Sequence, residues 1–320
     1  MSGKNQTPAS FGTAPRIPIG ISSCLLGEAV RYDGGHKLDL FITGTLAHYF
    51  DFVPVCPEVA IGMGVPREPI HLVTQRSGIH AVGVRNSALD VTDSLNHYAE
   101  SMGRKLAHLC GYIFKNGSPS CGLDEVKLFT PTGISRKTAR GIYAKEFMAQ
   151  QPLIPCEDEV RLANPLLLDN FLQRVAVLYR WRQMLASRLT VGKLVDFHSR
   201  HKYMVMAHQP RAYQQLVQLI ASTGKGTVRE VAETYIYDLM QALNRIATRV
   251  QHTKVLQQLL GYLKNHLENA EKQAILAVIV GYQRGDVPLL VPITLLNHYF
   301  RRYPVPYIAK QYYLMPHPYD

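Results

Sequence analysis

Residues 17 to 24 read IPIGISSC, a short apolar run that closes on two serines and a cysteine. The form recurs. FDFVPV, residues 50–55, ends at Cys56, and GYIFK, residues 111–115, runs out shortly before Cys121. Each run reads as a strand, and helix candidates at Leu38–Phe50 and Thr92–Leu109 lie between them, the second opened by Thr92 or Asp93 as a cap. Strands alternating with helical patterns predict an α/β domain with a mainly parallel sheet. In such a sheet ligands bind in the crevice outside the carboxyl ends of the strands. Cys24, Cys56 and Cys121 fall at or just beyond such ends, so they are expected to meet although they are far apart in the chain.

After PLIPCEDEVRLANP, residues 152–165, the style changes to long helical patterns, beginning with NPLLLDNFLQRVAVLYRWRQMLASR, residues 164–188, where Asn164-Pro165 suits a helix start. Another helix starts at Thr190, and more are expected at Pro210–Ala221, Thr227–Thr248, Thr253–Tyr282 and Val287–Phe300, before a Pro- and Tyr-rich tail. The chain therefore divides into a flexible leader (1–16), an α/β N-terminal domain (17–160) and an all-α C-terminal domain (161–320).

Composition agrees with two domains: 320 residues, 47% apolar and 18% charged. The opening MSGKNQTPASFGTAPR lacks the apolar centre of a secretory signal. The most apolar later runs, AILAVIVGY and VPLLVPITLL, are well short of the roughly 20 residues that a membrane span needs. A cytoplasmic protein is expected. Five cysteines make an odd set, which argues against a disulfide framework and leaves reduced thiols or metal ligands. Net charge is +11 and uneven, with 15 Lys and Arg against 12 Asp and Glu up to residue 156, and 20 against 12 thereafter.

The loop NGSPSCGLDE, residues 116–125, crowds small residues around Cys121, as SSCLLG and VCPEV do around Cys24 and Cys56. Backbone N–H groups approach sulfur or an anion closely in such loops. Cys110 and Cys156 read instead as small buried hydrophobes. Three thiolates suit either zinc with one open position or an iron–sulfur cluster with one iron lacking a protein ligand. The HxE and PCxxC pattern of zinc deaminases is absent.

Three blocks, SSCLLGEAVRYDGGHK (22–37), VPVCPEVAIGMGVPRE (53–68) and FKNGSPSCG (114–122), together resemble the signature segments of the thiouracil desulfidase family. The second half, particularly FHSRHKYMVMAHQPRAYQQL (197–216), resembles a helical domain of unassigned function often fused to it, an arrangement similar to desulfidases acting on 4-thiouridine in tRNA. The resemblance implies a [4Fe-4S] cluster with Cys24, Cys56 and Cys121 as its ligands and one open iron, and catalytic roles for Glu58 and Ser118. One departure is Ile61, where the family more often has glycine.

The chemistry suits these residue types. Replacing a thiocarbonyl sulfur by oxygen is formally a hydrolysis: water adds at carbon and sulfide, a soft leaving group, departs. An acid such as Glu58 can move the water's proton, and Ser118 can orient water or pyrimidine. The bland reading of Glu58 is a solvated surface acid. RYDGG, residues 31–35, reads as a turn, or as a substrate clamp in which Arg31 or Asp33 bonds the uracil edge and Lys37 approaches a phosphate. In the basic half, Arg174, Arg180, Arg182 and Arg188 share one helix, and His198, Arg200, His201 and Lys202 follow. This set reads as a solvated basic face, as a His198/His201 metal site, or as a tRNA surface in which Arg180, Arg182, Arg200 and Lys202 meet phosphates. The leading expectation is a desulfidase converting 4-thiouridine in tRNA to uridine and sulfide. The alternatives are a desulfidase of free thiouracil or thionucleosides, and a non-enzymatic iron–sulfur RNA-binding or sensor protein.

Overall fold

In β1 (Ile17–Ser22) the isoleucines at 17, 19 and 21 are fully buried, the period of two that puts one face of a strand into a core. The computed structural model describes residues 16–130, 133–225 and 227–315. The expected leader thus lies outside the described residues except for Arg16. From β1 the chain passes through β2 (Phe50–Val55), the single turn α1 (Pro57–Ala60), the hairpin β3 (Ile70–Gln75) and β4 (Gly78–Gly83), and α2 (Thr92–Lys105). It continues through β5 (Gly111–Phe114), β6 (Val126–Thr130), β7 (Gly133–Ala139), α3 (Ile142–Gln150) and β8 (Cys156–Asp158).

One sheet has the order β2-β1-β5-β8, with every pairing parallel. The chain moves from β1 to β2 on one side and returns to β5 on the other, so the loops after β1 and β5 diverge at a topological switch point. Helices cover both faces. On one face Tyr112, Phe114, Tyr143 and Phe147 form an aromatic cluster with Leu95 and Ala99, drawn from β5, α2 and α3. Gly20 makes room for it, because a Cβ there would stand 2.4 Å from the Tyr112 ring.

The other face is covered by α4 (Pro165–Leu185), whose Phe171 and Val175 share a core with Ile17, Ile19, Ile21 and Ile113. Packing therefore runs across residue 160, where the composition changes. Gly111 lets α4 approach, since a Cβ there would meet Val175 at 2.8 Å and Phe171 at 3.2 Å. Phe171→Ala is expected to lower stability by about 3–5 kcal/mol, the cost of emptying a fully buried aromatic site. A denaturation midpoint that barely moves would show that α4 does not hold the sheet.

A second sheet, β4-β3-β6-β7, has antiparallel outer pairs around a parallel β3–β6 pair. Beyond α4 run α5 (Val191–His208), α6 (Pro210–Ala221), α7 (Val228–Leu243), α8 (Arg249–Gly261), α9 (Asn269–Arg284) and α10 (Leu290–Arg302). The fold class is α/β with a parallel sheet, followed by helices. Asn164, Thr190 and Thr227 cap their helices, each accepting a backbone N–H. None of the helices among the described residues is long and apolar enough to cross a membrane.

Two helix expectations are corrected. Leu38–Phe50 forms single π and 3₁₀ turns at Phe41–Thr45 and Leu46–His48, and β2 already begins at Phe50. Gly44 and two threonines weaken that segment as an α-helix. Thr253–Tyr282 is divided between α8 and α9, because Glu268 and Glu271 form a capping box that starts a new helix.

Candidate functional site

Cys24 sits in the 3₁₀ turn directly after β1, Cys56 caps α1 directly after β2, and Cys121 lies in the loop after β5. The parallel order places all three beyond the carboxyl ends of the strands, and all three line one cavity of about 310 Å³. Burial raises each thiol's proton affinity, most strongly at Cys121. Arg31 and Lys115 oppose the rise at Cys24, and a hydrogen bond with the Ser22 side chain opposes it at Cys121. Thiols raised in this way are poor free nucleophiles but can give up their protons to a bound metal. Among the described residues, no three His, Cys, Asp or Glu side chains stand close enough to hold a single metal ion.

The Cys121 loop is fixed from below by the start of α3. The N–H groups of Gly141, Ile142 and Ala144 donate to the carbonyls of Gly122, Pro119 and Ser120 at 2.8–3.0 Å. Gly141 permits this approach, because a Cβ there would lie 2.5 Å from the Ser120 backbone. Ser118 Oγ accepts the N–H groups of Cys121 (3.1 Å) and Ser120 (3.3 Å), so its own proton is what remains to offer. It lines the cavity.

Glu58 also lines the cavity, and it is not a solvated surface acid. Its side chain is 14% exposed and pairs with Arg67, itself 4% exposed, at 2.8 Å. Ser120 Oγ donates to the other carboxylate oxygen at 2.7 Å. Lys115 lines the cavity as well; its ammonium binds Glu159 and the Asn116 carbonyl, and its backbone N–H donates to Ser22 Oγ. Sequence reasoning missed Arg67, Ser120, Lys115 and Glu159 as parts of the site. Arg67 and Ser120 lay inside quoted motifs, but nothing in their spacing showed that they share one carboxylate.

Of the expected clamp, Arg31 and Lys37 reach the cavity and Asp33 does not. Asp33 accepts the Gly35 N–H at 3.0 Å, which holds its carboxyl below the usual range, and Gly34 takes a positive φ of 78°. The segment is thus a turn that carries two cations to the cavity rim.

Of the four cations expected to meet phosphates, Arg180, Arg200 and Lys202 are engaged within the chain. Arg180 stacks on Tyr312 at 3.8 Å, and Arg200 pairs with Asp196 at 2.7 Å. Lys202 lies among the rings of Tyr203, Tyr213 and Tyr307, and Arg182 is half-buried, which lowers its proton affinity. His201 Nδ1 bonds the Phe197 carbonyl at 2.7 Å and His198 Nδ1 meets the Tyr235 hydroxyl at 3.3 Å, and the pair belongs to no metal-holding group among the described residues.

Comparison with known proteins matches two separate stretches of the chain. The family model of 2-thiouracil desulfurase matches residues 19–159, and that of a protein of unknown function (DUF1722) matches residues 202–318. The uncharacterized protein YbgA of Escherichia coli (strain K12) is 31% identical over 146 residues, 45% of this chain and 86% of that protein. The uncharacterized protein YbbK of Bacillus subtilis (strain 168) is 33% identical over 111 residues, 32% of this chain and 71% of that protein. A solved structure, the [4Fe-4S]-dependent thiouracil desulfidase TudS, is 30% identical and covers 46% of this chain and 94% of its own, with a TM-score of 0.36.

Proposed function

The chain belongs to the 2-thiouracil desulfurase family, matched over residues 19–159, and from that premise we propose that it desulfurates a thiolated uracil using a [4Fe-4S] cluster on Cys24, Cys56 and Cys121. The observation that carries this reading is the convergence of three cysteines, Cys24 and Cys121 buried and Cys56 half-buried, on one cavity beside Glu58. The donor set suits the cluster. A single zinc needs its ligands within about 2.3 Å of one point, whereas a cluster attaches each thiolate to a different iron and so tolerates sulfurs spread around a wall. When bound, the cluster supplies a soft Lewis acid, an iron open to the substrate's sulfur.

The protein's own groups do the rest. Water adds at the thiocarbonyl carbon, Glu58 takes its proton, the C–S bond breaks, and hydrosulfide and the uracil carbonyl are the products. No oxidant or reductant is consumed. Ser118 offers its proton to the water or to a ring carbonyl, and Arg31 and Lys37 hold the polar edge of the substrate at the rim. The five free cysteines agree with a reducing, cytoplasmic setting.

We read the base as 4-thiouridine presented within tRNA. The excess of 20 Lys and Arg over 12 Asp and Glu after residue 156 favours a polyanion. Free thiouracil is the competing substrate, and a non-enzymatic RNA-binding or sensor role the competing class. The test is sulfide release by the anaerobically purified protein from thiolated tRNA and from free 4-thiouracil. Turnover of tRNA is expected to fall steeply with added salt while that of the free base does not. Glu58→Gln and Ser118→Ala are expected to keep the iron and to lose turnover roughly 100-fold on either substrate. No sulfide from either substrate would end the enzymatic reading, and equal salt response would remove tRNA.

A further inference from the structure

Glu58 stands second in a single helical turn, a position that by itself leaves three side-chain torsions free. Two other segments remove that freedom. Arg67 places both Nε (2.9 Å) and Nη2 (2.8 Å) on Glu58 Oε2. Its Nη1 is anchored on the Gly64 carbonyl at 3.0 Å, and its backbone N–H on the Tyr32 carbonyl at 2.8 Å. On the other oxygen, Ser120 Oγ donates to Oε1 at 2.7 Å. Ser120 is fully buried, its carbonyl is held by the Ala144 N–H, and Gly141 is pressed against its backbone.

We infer that Ser120 and Arg67 are positioning residues of the reaction: they clamp the two oxygens of Glu58 from opposite sides and fix the direction in which it takes a proton. The inference rests on the desulfidase reading of the same site. Ser120 is the sharper case, because it does not line the cavity while Glu58 does, and so reaches the substrate only through the carboxylate. Oε2 already accepts two hydrogen bonds from Arg67, so the lone pair left to take a proton is on Oε1, beside the one that Ser120 occupies, and the contacts on both oxygens together leave the carboxylate plane no free rotation. General-base transfer depends on such alignment, and misplacement by about 1 Å costs up to roughly 100-fold in rate. A clamp of this kind acts on turnover more than on substrate binding.

The experiment uses the anaerobically purified full chain with 4-thiouracil as the probe, reading sulfide release, iron content and the visible spectrum. Ser120→Ala is expected to lower kcat by roughly 10–100-fold while KM stays within about two-fold and the iron is unchanged. Arg67→Lys, which keeps charge but not the fork, is expected to retain more turnover than Arg67→Met. In a Glu58→Gln background Ser120→Ala is expected to cost nothing further, since both act through one group. Wild-type kcat in Ser120→Ala overturns the inference alone, as does lost iron or a loss that adds in full to that of Glu58→Gln. Wild-type turnover in Glu58→Gln overturns the role of Glu58 itself, and the clamp with it.

Discussion

Cys24→Ser, Cys56→Ser and Cys121→Ser are each expected to purify colourless and without turnover, whereas Cys110→Ser and Cys156→Ser are expected to remain brown and active. Four of the five are buried and Cys56 is half-buried, and because Cys24 and Cys121 are buried like Cys110 and Cys156, burial does not separate the two groups. Position along the sheet does. The first three follow the carboxyl ends of β1, β2 and β5 and line the cavity. Cys110 precedes β5, its N–H bonded to the Pro18 carbonyl at the opposite end of the sheet. Cys156 opens β8, level with Tyr112, and its thiol donates to the Ile154 carbonyl at 3.4 Å. Burial pushes the Cys110 thiol up to about 11 and that of Cys156 to about 12, so both stay protonated and behave as small hydrophobes. Removing one of three cluster ligands leaves an iron without its thiolate, and serine is a harder, more weakly coordinating replacement. Iron analysis of the anaerobic protein decides the matter. About four iron per wild-type chain is expected; full iron in any of the first three variants, or zinc in an active wild type, would overturn the ligand set.

The three strand ends were legible because each is a short apolar run stopped by small residues, a local pattern that parallel pairing then brings together. What was not legible depends on partners distant in sequence. The second sheet pairs β3 with β6, about fifty residues apart, and IHLVTQ and GIHAVG carry too little alternation to announce it. The segment after residue 160 reads as the start of a helical domain, yet Phe171 and Val175 complete the core of the sheet. Apolar spacing tells that a helix has a buried face but not what that face meets. Glu58 alone reads as a surface acid, because its exposure is set by Arg67 and by Ser120, sixty-two residues later in the chain. In the basic half, charge was countable, but engagement of Arg180 by Tyr312 needed the fold of the tail.

That tail and its neighbours set the final expected result: the helical half loses stability as pH falls below about 6.5, independently of the cluster. His201 is fully buried, its Nδ1 bonded to the Phe197 carbonyl, its ring against Tyr312, and its Nε2 without a hydrogen-bond partner. Burial, reinforced by Arg180, His198 and Arg200, brings its pKa down to about 3. Burial likewise lowers His198 and His252, each to about 4, and lowers His208. A depressed folded-state pKa means that between that value and the unfolded value near 6.5 the unfolded chain binds more protons. Stability is therefore whole above about pH 6.5 and declines on acidification through this window. His201 alone contributes a loss of about 2 kcal/mol by pH 5, at about 1.4 kcal/mol per pH unit. The other buried histidines add to it. Because iron–sulfur proteins also lose their clusters in acid, the measurement belongs in the Cys24→Ser chain, following helix melting by circular dichroism from pH 7.5 to 5. The melting temperature is expected to fall across that range, and His201→Phe, which keeps a ring between Phe197 and Tyr312 but cannot titrate, is expected to fall less steeply. A melting temperature flat to pH 5, or an unchanged slope in His201→Phe, would show that these histidines are not held neutral by the fold.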